Sequence, residues 1–590
     1  MQQYFIKFGN QIRPASEYQN RIFDEIENGT KSIIINACAG SAKTTTIVNA
    51  CDLIDSDKKV AFIAFNRDIV KEIDNKIKRS NVVVTTYHSL GYKILLENDF
   101  IVNLDENKYI VYANNFVKDN SKFFNLLKKK NERSAYLRNV HNLVNYSRYY
   151  LKYGKREVRE ISAQFGLELL GDEVEMALDV LAWGKNESST LDYMDLIWFP
   201  NIHNLSTIKY QFDWIFIDEA QDTSIAQQKL IEKCFRKNTR FVAVGDDSQQ
   251  INVWCGASKN AIMELEQLRD TVTLDLPISY RCPKKVVELA KAYSKNIIAA
   301  DGAIDGEIRN SVDVNSPNGS DLVLCRMTAP LIELHIKYHS NNKRSAIRGM
   351  EDFKSKYLEM LTDFHDDTLI DKSFLTSNGL MPCLYKKLFV EIDKIKEMYS
   401  VDDEDAISHA SIITMYDHIC GIQALSAGVS TVGALVRKIN EVFSDLGDGD
   451  NGDYISLMTV HKSKGLEADN VYILCPSLLP SPLAKTKDEI VAERNLCYVA
   501  YTRAKKTLNF MEESRFASLD GKRFKPEHII ADIKKKRGEI MMDIPVVKNK
   551  KTPKKRLELL NIPDNSATSN VANKKRVTTK AGMKFRNFLE

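Results

Sequence analysis

A chain of 590 residues is too long for one hydrophobic core, and ordinary domain sizes put it at roughly three to five units, some discontinuous. Its composition, 44% hydrophobic and 27% charged, is that of a soluble globular protein, and no run approaches the roughly 18 apolar residues that a membrane-spanning helix needs. The formal charge of +4 is uneven: residues 546–590 hold twelve Lys or Arg against three Asp or Glu, a surplus of +9 that leaves −5 on the rest, so any nucleic-acid contact in the body must come from a local groove.

Taken in chain order, the opening "MQQYFIKFGN" has no apolar signal-peptide segment, which predicts an intracellular protein of the cytoplasm, the host's if the chain is viral. Short β-branched runs follow at 32–35 (SIII), 60–65 (VAFIAF), 82–86 (VVVTT), 214–217 (WIFI) and 241–244 (FVAV). Near-continuous apolar runs separated by helical stretches predict a buried parallel sheet. Between about 98 and 210 the pattern turns helical and charge-rich, and reads as an insertion. A second set of runs lies at 272–276, 322–325, 455–460, 471–475 and 507–511, so the chain reads as two α/β cores in tandem. Another mostly helical block, about 351–450, interrupts the second core, and the acidic, glycine-rich "SDLGDGDNGD" at 444–453 marks the return. Beyond about 540 comes a Lys, Asn, Ser and Thr-rich tail expected to be disordered until bound. The ten cysteines are scattered, the closest pair (Cys38 and Cys51) thirteen positions apart, which speaks for reduced, buried thiols and against zinc, redox or iron–sulfur sites.

The stretch "NACAGSAKTTT" (36–46) lies directly after a strand and before a helix, the context a phosphate loop requires, because backbone N–H groups and a helix N-terminus must face the anion. Against the pattern G-x-x-x-x-G-K-S/T, Ala37 and Ala42 replace both end glycines. Lys43 is placed to reach the β and γ phosphates of ATP, and the Thr44 hydroxyl to coordinate Mg2+. "WIFIDEAQD" ends an apolar strand in Asp218 and Glu219. A magnesium nucleotide needs one carboxylate near Thr44, and hydrolysis needs a second to orient or deprotonate water.

The remaining blocks, "LDYMDLIWFP" (191–200), "VGDDSQQINVWCGA" (244–257), "LPISYRCP" (276–283), "ISLMTVHKSKGLEADNVYIL" (455–474) and "AERNLCYVAYTRAKKTL" (492–508), follow in an order that resembles the UvrD/Rep-like superfamily 1A DNA helicases. The block at 191–200 and the phosphate loop look most like the phage-type, F-box-helicase branch. The resemblance spans roughly residues 14–518 and implies two tandem RecA-like parallel-sheet cores of the P-loop NTPase type with two mostly helical insertions. On that pattern residues 1–97 and 211–275 form the first, ATP-binding core, 98–210 its insertion, 276–350 and 451–530 the second core, 351–450 its insertion, and 540–590 the basic tail.

The resemblance also implies roles. Ala39, Gly40, Ser41, Ala42, Lys43, Thr44 and Thr45 hold the phosphates; Thr44 and Asp218 hold the metal; Gln19 meets the adenine edge while Tyr280 stacks on its face; and Glu467 touches the ribose or another part of the nucleotide. Lys43, Glu219 and Gln249 act on the γ phosphate or its water. Arg281 and Arg503 reach that phosphate from the other core, so that ATP can close a cleft. DNA contacts fall to Phe65, Asn66, Tyr87, His88, Trp254, His461 and Lys464, where stacking of about 1–3 kcal/mol per base suits a motor that ignores sequence.

The implied activity is ATP-dependent translocation on single-stranded DNA with 3′-to-5′ polarity, unwinding tailed duplexes in replication, recombination or repair. A monomer is expected, and no nuclease domain, since only 87 residues follow Arg503. The basic tail offers DNA binding, a protein-binding motif around "KKRLELLNIP", or mere solubility. Departures from the pattern are Cys38, Ala42, Asn252 and Cys255. A methyl at Ala42 costs about 1 kcal/mol wherever φ is positive. Two other readings stand beside the motor: a DNA-binding scaffold with deficient ATPase, marked by Ala42, and a motor subunit active only inside a recombination or defence complex.

Overall fold

The computed structural model describes residues 2–8, 11–128, 130–167, 169–251, 256–348, 350–371, 378–399, 401–443, 453–484, 486–511 and 526–540. Two compact units divide the chain: Met1–Tyr280 with Ser294–Asp301, and Arg281–Tyr293 with Gly302–Glu590.

The first unit opens with an antiparallel hairpin, β1 (Phe5–Phe8) and β2 (Gln11–Pro14). Six strands then form one parallel sheet: β3 (Ser32–Ala37), β4 (Val60–Ala64), β5 (Val82–Thr86), β6 (Phe212–Ile217), β7 (Phe235–Gly245) and β8 (Thr271–Leu276), in the order β5-β4-β6-β7-β3-β8. Alternation sorts its residues between two cores. Ile33, Ile35, Phe62, Phe216 and Val242 pack with Ile22 and Ile47 of the flanking helices, while Ile34, Ala61, Ile63, Ile215 and Ala243 pack on the opposite face with the helical insertion. Each Ile, Phe or Val among them, fully buried, contributes about 1.5–3 kcal/mol. The pair β9 (Ile278–Ser279) and β10 (Ile298–Ala299) completes the unit.

The run at 272–276, grouped with the second set by its apolar pattern although the resemblance placed 211–275 in the first core, is β8, an edge strand hydrogen-bonded to β3 in the first sheet.

The insertion runs from the helix Lys108–Asn120 to the helix Asp195–Ile202. "LDYMDLIWFP" is its anchor. Asp195 accepts hydrogen bonds from Lys108 (2.7 Å) and Tyr109 (2.8 Å), Arg148 pairs with Asp192 (2.8 Å) and Asp195 (3.2 Å), and Lys108, Arg148 and Asp195 are buried. Two cations facing two carboxylates leave this network neutral, which buried charge requires. Gly91 of the helix Tyr87–Glu97 lies so close to this segment that a Cβ there would stand 1.9 Å from the Leu196 carbonyl oxygen.

The second unit carries another six-stranded parallel sheet: β11 (Glu307–Val312), β12 (Leu322–Cys325), β13 (Ser345–Ile347), β14 (Ile455–Thr459), β15 (Ala468–Leu474) and β16 (Ala504–Met511), in the order β11-β16-β15-β12-β14-β13. The edge strands β11 and β13 escaped the sequence reading. Five described helices between β13 and β14, from Met350–Leu361 to Val432–Val442, share one core with the sheet, running from Val323 and Leu457 through Tyr357 and Tyr416 to Ile439. The unit's last described element, the helix Pro526–Ile540, was also unforeseen. Most of "SDLGDGDNGD" and the tail from 541 lie outside the described residues. No described helix is long and apolar enough to cross a membrane.

Candidate active site

β3 sits between β7 and β8, and its C-terminal end delivers the phosphate loop into the helix Lys43–Asp52. The loop is held on several sides. Cys38 N–H donates to the Leu276 carbonyl (3.1 Å), its thiol to the Pro277 carbonyl (3.0 Å), and Tyr280 N–H to the Gly40 carbonyl (2.8 Å). Ser41 closes the loop from within by donating its hydroxyl to the Cys38 carbonyl (2.9 Å). Gly40 has φ 73°. Ala42 has φ 60°, ψ 39°, so the condition for strain at this position is met: a Cβ stands where glycine is at ease. Ala39 is buried and Thr45 half-buried.

Neighbouring strands deliver the acidic residues. From the end of β6, Asp218 Oδ2 accepts from Thr44 Oγ1 (2.7 Å) and Oδ1 from Glu219 N–H (2.9 Å). Lys43 Nζ stands 3.6 Å from Glu219 Oε1. Burial first, then the charge of Glu219, pushes Asp218 up to about 6 despite Thr44 and Lys43. Glu219 is itself left-handed, at φ 52°, ψ 44°. The end of β7 brings Asp246, which accepts from Gln249 Nε2 and is raised chiefly by burial.

Gln221 was not singled out in the sequence, although it stands inside "WIFIDEAQD". Its Nε2 donates to Glu219 Oε2 (2.5 Å), and its Oε1 accepts from Asp246 N–H (3.0 Å). It thereby ties the ends of β6 and β7 together. Gly245 leaves room for it, since a Cβ there would stand 2.8 Å from Gln221 Oε1. An adjacent hydroxyl and carboxylate, both hard oxygen donors, suit Mg2+. The lysine and the second carboxylate beside them are suited to a triphosphate and an attacking water.

Other predicted residues are placed less simply. Gln19 is fully buried: its Oε1 accepts from Ser16 N–H in a capping box, and its Nε2 donates to Thr46 Oγ1 (2.9 Å), so here it presents no edge to a base. Tyr280, in contrast, is 44% exposed. In the second unit Arg281 Nε pairs with Glu467 Oε2 (2.6 Å), and Lys505 stands 3.7 Å from Glu467 Oε1. Arg503 is buried and donates to the Val499 (2.9 Å) and Leu466 (3.1 Å) carbonyls.

Of the predicted DNA contacts, Phe65 is 48% exposed, an open aromatic face. Asn66 caps the helix Arg67–Lys76, its Oδ1 accepting from Ile69 N–H (2.9 Å). Tyr87 corrects the expectation: it is 3% exposed and packed in the core, so it offers no stacking face. His88 is half-buried and lowered by that burial. Burial, with Arg326 nearby, pushes His461 down to about 4, so it is neutral at pH 7. Lys464 is half-buried at the end of the same turn. Trp254, Asn252 and Cys255 lie outside the described residues.

Comparison with known proteins gives matches at both ends of this constellation. Residues 19–269 match the family model described as the UvrD/REP helicase N-terminal domain, and residues 454–511 that of the UvrD-like helicase C-terminal domain. The ATP-dependent DNA helicase Rep of Buchnera aphidicola subsp. Acyrthosiphon pisum is 23% identical, over 82% of this chain and 93% of its own. The ATP-dependent DNA helicase PcrA of Staphylococcus epidermidis is 22% identical over 81% and 80%, and the ATP-dependent DNA helicase Rep of Escherichia coli K12 is 22% identical over 55% and 64%.

Proposed function

The chain belongs to the UvrD-like superfamily 1A helicases, and on that premise we propose that it is an ATP-hydrolysing motor that moves 3′-to-5′ along single-stranded DNA and unwinds duplex DNA. One observation carries the reading: Lys43, Thr44, Asp218 and Glu219 converge at the ends of β3 and β6.

In this account the loop N–H groups and the N-terminus of the helix Lys43–Asp52 take the phosphates. Lys43 leaves Glu219 for the β and γ oxygens, which frees Glu219 to orient the attacking water and accept its proton. Thr44 and Asp218 hold Mg2+, which when bound neutralises charge on the phosphate oxygens. Gln249 positions the water, Tyr280 stacks on adenine, Gln19 meets the base edge after leaving its capping box, and Glu467 takes the ribose. Arg281 and Arg503 stabilise charge developing on the γ phosphate. Phe65, Asn66, His88, Trp254, His461 and Lys464 line the path of the strand, with Phe65 as a stacking platform.

The finer assignments are of the same kind. They are the phage-type branch, the division into two cores with insertions at 98–210 and 351–450, a monomer, a cytoplasmic location, and DNA or a protein partner at the basic tail. A scaffold without ATPase is the second reading, and the left-handed Ala42 favours it. Steady-state ATPase with and without single-stranded DNA separates the two. A motor gives strong stimulation by DNA that Lys43→Ala abolishes; a scaffold gives no hydrolysis in the native chain and recovery in Ala42→Gly.

A further inference from the structure

Between the helix Asp195–Ile202 and β6 the chain carries Ile208, a side chain 83% exposed in a loop that is firmly held. Glu97, the last residue of the helix Tyr87–Glu97, accepts from the Thr207 hydroxyl (2.5 Å) and from the N–H groups of Ile208 (2.9 Å) and Lys209 (3.0 Å). Asn98 adds a bond from its side-chain amide to the Ser206 carbonyl (2.9 Å). Leu96, beside Glu97, is exposed as well. An apolar side chain held out in water gains free energy once it is covered. A backbone ordered beforehand loses little freedom when that happens.

Lysines surround this knob. Lys59 Nζ donates to the Lys209 carbonyl, and Lys233 Nζ to Asn204 Oδ1 (3.3 Å). Burial, with the charge of Arg236, lowers Lys59 below its ordinary value, and burial, with the charge of Lys209, lowers Lys93, so these cations crowd one another. The nearby carboxylates are already engaged: Glu97 by the loop, Asp213 by Arg236 (2.7 and 2.8 Å) and Glu232 by Lys229 (2.6 Å). In a body of net negative charge this is a local positive field, and it attracts acidic groups. Lys59 and Arg236 stand at the N-terminal ends of β4 and β7, and the length of β6 sets this end of the sheet about 20 Å from Asp218.

Nucleic-acid phosphates would meet the same lysines, but single strands also stack their bases on open rings. Here the rings of Phe212 and Tyr210 lie beside the ammonium groups of Lys59 (5.2 Å) and Lys209 (5.7 Å). An apolar anchor ringed by charge is instead the anatomy of a protein interface. We propose that this end of the first sheet docks an acidic segment of a partner protein, an apolar side chain of which packs on Ile208 while its carboxylates meet Lys59, Lys93, Lys209 and Lys233. A partner there does not occlude the phosphate loop, which lies at the other end of the strands.

The test selects random phage-displayed peptides on the full-length protein after depletion on its Ile208→Ser variant. Affinity of the enriched peptide is then read by fluorescence anisotropy, with labelled oligothymidylate measured in parallel. Peptides that combine Asp or Glu with an apolar residue are expected, and Ile208→Ser and the double variant Lys93→Glu/Lys209→Glu each weaken their binding about tenfold. Melting temperature and oligothymidylate affinity stay unchanged in Ile208→Ser, whose side chain already lies in water, so its loss of binding cannot come from unfolding. Failure to enrich any peptide, enrichment of peptides without acidic residues, or losses below about threefold overturn the inference. So does a double variant that weakens oligothymidylate as much as peptide, which would make this end a nucleic-acid surface.

Discussion

Ala42→Gly tests the one place where the phosphate loop departs from glycine and is strained by it. At φ 60°, ψ 39° the alanine occupies the left-handed region, which costs an L-residue about 1–2 kcal/mol. Glycine removes that cost but restores about 0.4–1 kcal/mol of unfolded-chain freedom. The net expectation is a gain of about 0.5–1 kcal/mol. For a unit of about 290 residues, unfolding entropy near 0.6 kcal/mol/K turns this into a rise of about 1–2 °C. A guanidinium titration of both proteins resolves the difference as a higher midpoint at unchanged slope. Ala42→Val is the opposing control, because a β-branched side chain tolerates positive φ worse than alanine does, and its midpoint falls. A neutral or destabilised glycine variant together with a tolerated valine would refute the reasoning, since it would mean that residue 42 is not left-handed.

Three other outcomes follow from the site and its support. Asp218, ordinarily near 3.8, stands at about 6 in the nucleotide-free fold. Between those values the folded state binds more protons than the unfolded one, so this carboxyl's contribution to stability falls as pH rises through about 6. Magnesium needs the carboxylate ionised, so magnesium-dependent nucleotide affinity weakens on the order of tenfold per unit below about pH 6, as a fluorescent-nucleotide titration would register. Gly91→Ala forces a methyl against the Leu196 carbonyl and lowers unfolding free energy by about 1–3 kcal/mol; an unchanged denaturation midpoint would count against the close approach of these two helices.

What the sequence made legible was what local chemistry determines. β3, the phosphate loop and the helix after it form a contiguous strand, turn and helix, and Asp218 and Glu219 follow four apolar residues of β6. Exposure was harder to read. Phe65 and Tyr87 both follow β-branched runs, yet Phe65 leaves β4 toward solvent, while Tyr87 starts a helix capped by Thr86 that turns its ring into the core. Only the packing of the insertion decides between them. β11 and β13 were missed because edge strands need no continuous apolar run: β11 has no buried residue, and β13 is three residues long. Gln221 was visible inside its motif, but its partner, the Asp246 N–H, comes from the neighbouring strand.

The central claim is directional, ATP-driven unwinding, and the measurement that reaches it most directly is strand separation on duplexes carrying a single-stranded tail at either the 3′ or the 5′ end, with Lys43→Ala alongside. ATP-dependent separation of the 3′-tailed duplex is expected, with little of the 5′-tailed one and none by Lys43→Ala. Equal separation of both substrates would contradict the polarity, and separation that persists without ATP or in Lys43→Ala would contradict the motor.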